Sequence, residues 1–239
     1  MTKELLLISN STLHGESYLQ HCKKNIKQTL RHCEKIAFIP YARPSGITHG
    51  EYTALVQKVF MELGYRLFGV HEHKNPAHAI IDADAIFIGG GNTFVLLTML
   101  YKHNLVETIR HEVKNGKPYI GTSAGSNVAG ETIQTTNDMP IMYPPSFDAL
   151  DLVPFILNPH YIDPDPASTH MGETRETRIK EYHVFNDRTV VGLREGCMLE
   201  ITDSHVILKG STNARVFQKQ RQPVEYQPGD HLDFLLANK

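Results

Sequence analysis

Lys117-Pro118-Tyr119-Ile120-Gly121-Thr122-Ser123-Ala124-Gly125-Ser126-Asn127 is the stretch around which the chain is built. Tyr119 and Ile120 begin a buried strand. The Gly-x-Ser-x-Gly run then lets the backbone reverse sharply into a helix that the small and apolar Val128, Ala129 and Gly130 continue. Such an elbow projects the Ser123 hydroxyl and sets the amide of Ala124 at a helix N-terminus, beside any oxyanion formed at the serine. A turn of small residues between strand and helix is also an ordinary feature of α/β proteins, so reactivity requires partners from elsewhere in the chain.

Outward from the elbow, short apolar runs recur at Leu5 to Ile8, Ile36 to Ile39, Leu67 to Val70 and Ala85 to Ile88, as strands buried on both faces do. Between them Tyr52, Leu55, Val56, Val59, Phe60 and Leu63 repeat at helical spacing with Gly64 as a stop, which predicts a helix over Glu51 to Leu63. Further helices are predicted near Tyr18 to Leu30, Phe94 to Tyr101, Leu105 to Asn115 and Arg175 to Phe185. The βαβαβ order predicts an α/β fold, a mostly parallel sheet with helices on both faces. Beyond it, Thr189 to Leu193, Cys197 to Ile201, His205 to Leu208 and Ala214 to Phe217 predict extra C-terminal strands, partly antiparallel. With no linker, repeat or low-complexity tract, residues 1–239 are expected to form one domain.

Size and charge narrow the class. A chain of 239 residues buries a sizeable core unaided, and a net charge of -2 gives no pull toward nucleic acid or an anionic membrane. Three cysteines without CxxC spacing indicate neither a disulfide framework nor a zinc knuckle. With no apolar run long enough for a signal core or a bilayer span, a cytoplasmic protein is expected, monomeric or homodimeric.

A serine nucleophile needs a base and an acid that orients the base. Among 14 histidines His160 stands out, because Phe155-Ile156-Leu157-Asn158-Pro159 is a strand-like run ending on it, and sites of open α/β sheets gather at carboxyl ends of strands. Two acids compete: Glu195, just past the strand Val190 to Leu193, and Asp138, in the polar loop Thr135-Thr136-Asn137-Asp138-Met139-Pro140. Gly89-Gly90-Gly91-Asn92 follows the strand Ala85 to Ile88 and permits close approach of the backbone to a ligand, with Gly91 and Ala124 as the oxyanion donors. It lacks the third glycine of a dinucleotide loop and the Gly-Lys-Ser/Thr of a P-loop. His71-Glu72-His73 has the wrong spacing for a helical metal site and reads as a solvated loop. Arg175 and Arg178, by themselves, read as a solvated helix face.

These stretches, together with Leu6-Leu7-Ile8-Ser9-Asn10-Ser11-Thr12, Phe147-Asp148-Ala149-Leu150, Asn158-Pro159-His160 and Gly172-Glu173-Thr174-Arg175-Glu176, resemble peptidase E, the α-aspartyl dipeptidase family of serine peptidases. The resemblance runs in matching order from the N-terminus to about Glu195. It implies a class I glutamine-amidotransferase-like (flavodoxin-like) fold and an enzyme that hydrolyses dipeptides beginning with aspartate, without metal or organic cofactor. By it Ser123 matches the nucleophile and His160 the base, while Glu195 and Asp138 both match acids offered as third member; the strand-end position favours Glu195. Arg175 matches the arginine that pairs with the substrate's aspartyl carboxylate, and Asn92 is grouped with it as substrate-binding. Thr122 stands where the family commonly carries tryptophan and Ser126 where it carries alanine, which bears on pocket shape. The order Ser123, His160, Glu195 differs from that of α/β-hydrolases. A cyanophycinase-like peptidase cutting β-aspartyl linkages, and a non-catalytic ligand-binding protein of the same fold, are the competing readings.

Overall fold

The computed structural model describes residues 3–237 apart from 166, 168 and 170. Its elements are β1 (Glu4–Ile8), α1 (Lys23–Thr29), β2 (Lys35–Ile39), α2 (His49–Glu62), β3 (Arg66–Gly69), α3 (Pro76–Ile81), β4 (Ala85–Ile88), α4 (Thr93–Lys102) and α5 (Leu105–Lys114). There follow β5 (Tyr119–Thr122), α6 (Ala124–Asn127), β6 (Ile156–Pro159), α7 (Arg175–Phe185), β7 (Val190–Leu193), β8 (Cys197–Thr202), β9 (His205–Gly210), β10 (Ala214–Phe217) and β11 (Val224–Tyr226).

The main sheet has seven strands in the order β3-β2-β4-β5-β1-β8-β9. The first five are parallel, and β8 and β9 extend the β1 edge antiparallel. Alternate side chains explain the unbroken apolar runs, since both faces are covered. Leu6, Ile8, Phe38, Phe87 and Ile120 pack beneath α1 and α2, whereas Leu5, Leu7, Ala37, Ile39, Ile86 and Ile88 face the other side with residues of α3, α4 and α5. On the first face Phe38 meets Tyr52 edge-on at 5.1 Å and Phe87 lies between Phe38 and Phe60 at 5.3 and 5.2 Å. Each such buried side chain contributes roughly 1.5–3 kcal/mol.

The α/β class is as expected, but the C-terminal strands divide between two sheets. β6, β7, β10 and β11 form a separate four-stranded sheet in the order β11-β10-β7-β6. Here β6 and β7 are parallel and joined through α7, so β6-α7-β7 is a βαβ unit in its own right and does not dock on the main sheet's edge. One of its faces, with Leu157, Val191 and Leu193, completes the core beside α6; the other, with Ile156, Val190 and Phe217, lies under α7.

Three smaller differences have local causes. The expected helix from Tyr18 is a 3-10 turn at Gln20–Cys22 and then α1, because Leu19 is held left-handed (φ 60°) with its amide on Ser11 O at 2.7 Å. The elbow helix stops at Asn127, because the backbone of Val128 to Glu131 pairs instead with Ala149 to Val153. The unanticipated α3 is a six-residue helix opened by Asn75, whose Oδ1 caps Ala77 and His78 ahead of Pro76.

Candidate active site

Ser123 sits between β5 and α6 with φ 52° and ψ -112°, a conformation that costs a non-glycine residue about 1–3 kcal/mol. Its surroundings hold it there. The Ser123 amide donates to Ile8 O at 3.0 Å, and its carbonyl accepts from the amides of Ser126 and Asn127. Ser126 Oγ lies 2.7 Å from Ile8 O and 2.8 Å from Gly121 O, and the buried Tyr119 hydroxyl donates to Gly125 O. A side chain at Gly125 is excluded, because a Cβ there would stand 2.3 Å from Ile88 O. Thr122 and Ser126 are both fully buried, so the two departures from the family pattern act within the elbow and line no open pocket.

His160 follows β6 and also has a positive φ, 53°. Its Nε2 lies 3.0 Å from Ser123 Oγ and its Nδ1 2.7 Å from Glu195 Oε1. A carboxylate only accepts, so Glu195 makes Nδ1 the protonated nitrogen and leaves Nε2 to accept from Ser123. The His160 and Glu195 side chains are 41% and 54% exposed, so this acid works in contact with water.

Two buried residues at the end of β1 carry the pair. Ser9 Oγ accepts from the His160 amide at 3.0 Å and donates to Leu193 O at 2.8 Å, which joins the ends of β1, β6 and β7. Asn10 Oδ1 accepts from Gly196 N at 2.9 Å, and Thr212 Oγ1 donates to Glu195 O at 2.7 Å, so the turn bearing Glu195 is tied from both sides. Neither Ser9 nor Asn10 was singled out from the sequence as a site residue. Their position at the carboxyl end of a strand, the criterion that selected His160, was the available signal.

Asp138 lies elsewhere. Its Oδ2 accepts from Thr93 N at 2.7 Å and Thr136 Oγ1 at 3.2 Å, and its carboxylate is not within 4.0 Å of a His160 ring nitrogen. The loop bearing it is fastened to β6 by Asn158 Nδ2 on Thr135 O at 2.6 Å and Asn137 Nδ2 on Pro159 O at 3.0 Å. Asn92, expected to touch substrate, is occupied otherwise: its Oδ1 caps α4 at Val95 N and its Nδ2 donates to Met139 O.

The glycine loop lies directly against the serine, since a Cβ on Gly90 would stand 3.0 Å from Ser123 Cβ. Gly90 O accepts from Arg43 Nε at 3.1 Å and the Tyr52 hydroxyl at 3.4 Å. The next peptide N–H, that of Gly91, points the opposite way because the peptide is trans. Gly91 itself has φ 149°, and a Cβ on it would stand 2.2 Å from Ala42 O.

Arg175 is the first residue of α7, whose N-cap Thr174 accepts from Thr177 N at 3.1 Å. It is half-buried, and among the described residues no carboxylate lies within 4.0 Å of it. Burial and the neighbouring Arg178 push its pKa down, against an opposing pull from Asp138. It is a guanidinium short of an anion. His71, expected in a solvated loop, instead lies in a 3-10 turn with Nδ1 buried and without a hydrogen bond among the described residues.

A serine on an elbow, touching a histidine that touches a carboxylate, at the carboxyl ends of the strands of an α/β sheet, is the arrangement of a serine hydrolase. Residues 5–209 match peptidase family S51. The chain is 47% identical over 232 residues to "Peptidase E" of Streptomyces coelicolor, covering 97% of this chain and 94% of that one. It is 44% identical to the "Probable alpha-aspartyl dipeptidase" of Drosophila melanogaster, covering 98% of each. In fold it is similar to a peptidase from an acI-B1 Actinobacterium, with a TM-score of 0.75, 17% identity and 97% of each chain covered. The chain therefore belongs to peptidase family S51 and is a peptidase acting on small peptides. Among the described residues no helix is long and apolar enough to cross a membrane.

Proposed function

We propose that the protein is a serine dipeptidase that hydrolyses Asp-Xaa dipeptides through an acyl-enzyme on Ser123. The observation that carries this reading is the unbroken contact from Ser123 Oγ through His160 to Glu195. His160 Nε2 takes the hydroxyl proton as Oγ attacks the aspartyl carbonyl, and Glu195 stabilises the imidazolium that forms. The amide of Ala124, first in α6 and without an intrahelical acceptor, and that of Gly91, turned away from Arg43 and Tyr52, receive the oxyanion. His160 returns the proton to the leaving amine. Water then attacks the acyl ester, with the same histidine as base.

Arg175 takes the side-chain carboxylate of the substrate, a reading supported by its half-burial with no ion-pair partner among the described residues. Aspartate is preferred because an uncharged side chain leaves that cation unpaired. Asp138, whose charge acts on Arg175, faces the substrate's ammonium group and acts in binding, with Glu195 as the triad acid. The three free thiols suit the reducing cytoplasm, where we place the enzyme.

Steady-state assays on Asp-Leu and on a β-linked Asp-Arg dipeptide test the proposal. Wild type cleaves Asp-Leu, Ser123→Ala cleaves neither, and Arg175→Met loses Asp-Leu cleavage mainly through a raised KM. Preference for the β-linked substrate points instead to a cyanophycinase-like enzyme, and unchanged turnover in Ser123→Ala refutes the catalytic reading.

A further inference from the structure

We infer a binding site for a divalent cation of the zinc class at the end of the main sheet remote from Ser123, formed by His205, His231 and Asp233. The nitrogen and oxygen atoms these residues offer all lie within 4.8 Å of one another. The geometry follows from an edge ladder. Ile207 bridges antiparallel to His231 and Leu232 N donates to Val206 O at 2.7 Å, which lays this segment beside the start of β9, and Asp233 then opens a 3-10 turn, Asp233–Leu236. The turn at Leu232 (φ -114°, ψ 36°) brings the Asp233 carboxylate against the start of β9, where its oxygens meet Val206 N and His205 Nδ1. The side chains of His205, His231 and Asp233 therefore converge beside the start of β9. His205 Nδ1 lies 3.0 Å from Asp233 Oδ2, and the two imidazole rings stand nearly perpendicular, 6.3 Å apart.

The donor set selects the ion. Two imidazoles and one carboxylate suit zinc and its first-row neighbours, whereas calcium and magnesium take oxygen ligands. Ligands 2.0–2.1 Å from a tetrahedral zinc stand about 3.4 Å apart, and rotation of the two exposed histidine side chains covers the difference from the observed spread. Asp233 is already oriented, because its Oδ1 accepts from Val206 N at 2.8 Å while Oδ2 faces the site. The ring of His231 makes no hydrogen bond among the described residues and has both nitrogens to offer. Water fills the fourth position.

The ion's role is structural. His205 pairs with Thr202 and Thr202 with Glu4, at the amino end of β1, whereas Ser9 and Ser123 lie at its carboxyl end. Roughly 16 Å of strand separates them. The ion fastens the C-terminal segment, whose Leu232 and Leu235 are fully buried, over the edge strand β9.

The full-length chain, stripped of metal with a chelator, is titrated with Zn2+ by calorimetry and with Co2+ by visible absorption, and its Tm is followed. One equivalent binds, Co2+ gives tetrahedral absorption, Tm rises with Zn2+, and dipeptide hydrolysis is unchanged. His231→Ala retains the His205–Asp233 pair, yet weakens Zn2+ binding about tenfold or more and removes the zinc-dependent rise in Tm. Equal zinc affinity and equal Tm shift in wild type and His231→Ala leave only an ion pair docking the tail, and overturn the inference. Inhibition of hydrolysis in step with the first equivalent puts the ion at His160 and Glu195, and overturns it equally.

Discussion

Ser123 and His160, adjacent in the site, both hold positive φ angles, and both are anchored through β1: Ser123 by the Ile8 carbonyl, His160 by the Ser9 hydroxyl. Ser9→Ala therefore leaves the part-buried His160 amide without its acceptor, at about 1–3 kcal/mol of stability, whereas Leu193 O keeps the amide of Tyr161. It also frees the histidine to drift from the serine. The expected result is a kcat lowered more than KM is raised, read by steady-state kinetics beside a denaturant melt; equal stability loss with unchanged kcat removes the positioning role. Glu195→Gln lowers kcat by about 10²-fold, at the low end of the usual range for a proton-transfer partner, because the half-exposed carboxylate is partly replaceable by water. Asp138→Asn, in contrast, raises KM with a smaller effect on kcat. A kcat loss in Asp138→Asn larger than in Glu195→Gln reverses the assignment of the acid.

At the scale of elements, α7 ties the residue proposed to hold the substrate's carboxylate to the fold. Its first residue is Arg175, its cap is Thr174, and Glu176 pairs with Arg215 of β10 at 2.8 Å. The cap fixes the backbone angle at which the guanidinium leaves the helix. Thr174→Ala costs about 1 kcal/mol of stability and raises KM for Asp-Leu without a change in KM for a substrate lacking the acidic side chain. Thermal unfolding and the two Michaelis constants read both effects. Thr174→Ser, which keeps the cap oxygen, restores them.

The whole molecule carries an acid-sensitive face. His49 and His103 flank Tyr41 at ring distances of 5.3 and 5.0 Å, and His71 lies 5.6 Å beyond His49. Burial lowers the pKa of all three below the ordinary 6.5; Lys102 and then His49 add to it for His103, while for His71 Glu72 opposes it and His49 adds to it. A base whose folded pKa is depressed binds protons more readily when unfolded. Stability is therefore level above about 6.5 and falls as pH drops toward the folded pKa values. At lower pH the Arg194-bound carboxylate of Asp163, whose pKa is held down chiefly by that hydrogen bond, is protonated and its contribution is lost in turn. Tm measured from pH 7 downward shows the first loss, and His71→Gln makes that slope shallower. An unchanged slope in the variant assigns the loss to other groups.

The sequence alone determined the parallel strands, most of the helices, the elbow, the glycine loop and the histidine that meets Ser123. Each is signalled locally: strands buried on both faces are continuous apolar runs, and sharp turns require glycine whatever surrounds them. Glu195 and Asp138 looked alike because each is an acid in a polar turn, and a turn's sequence does not encode which strand end faces it. Only the tertiary structure brought Glu195 to His160 and Asp138 toward Arg175, through pairings between segments far apart in the chain. The same holds for the second sheet, for Ser9 beneath His160, and for His205 beside His231 and Asp233, since register between distant strands is set by the packing of whole faces and leaves no mark at the single residue.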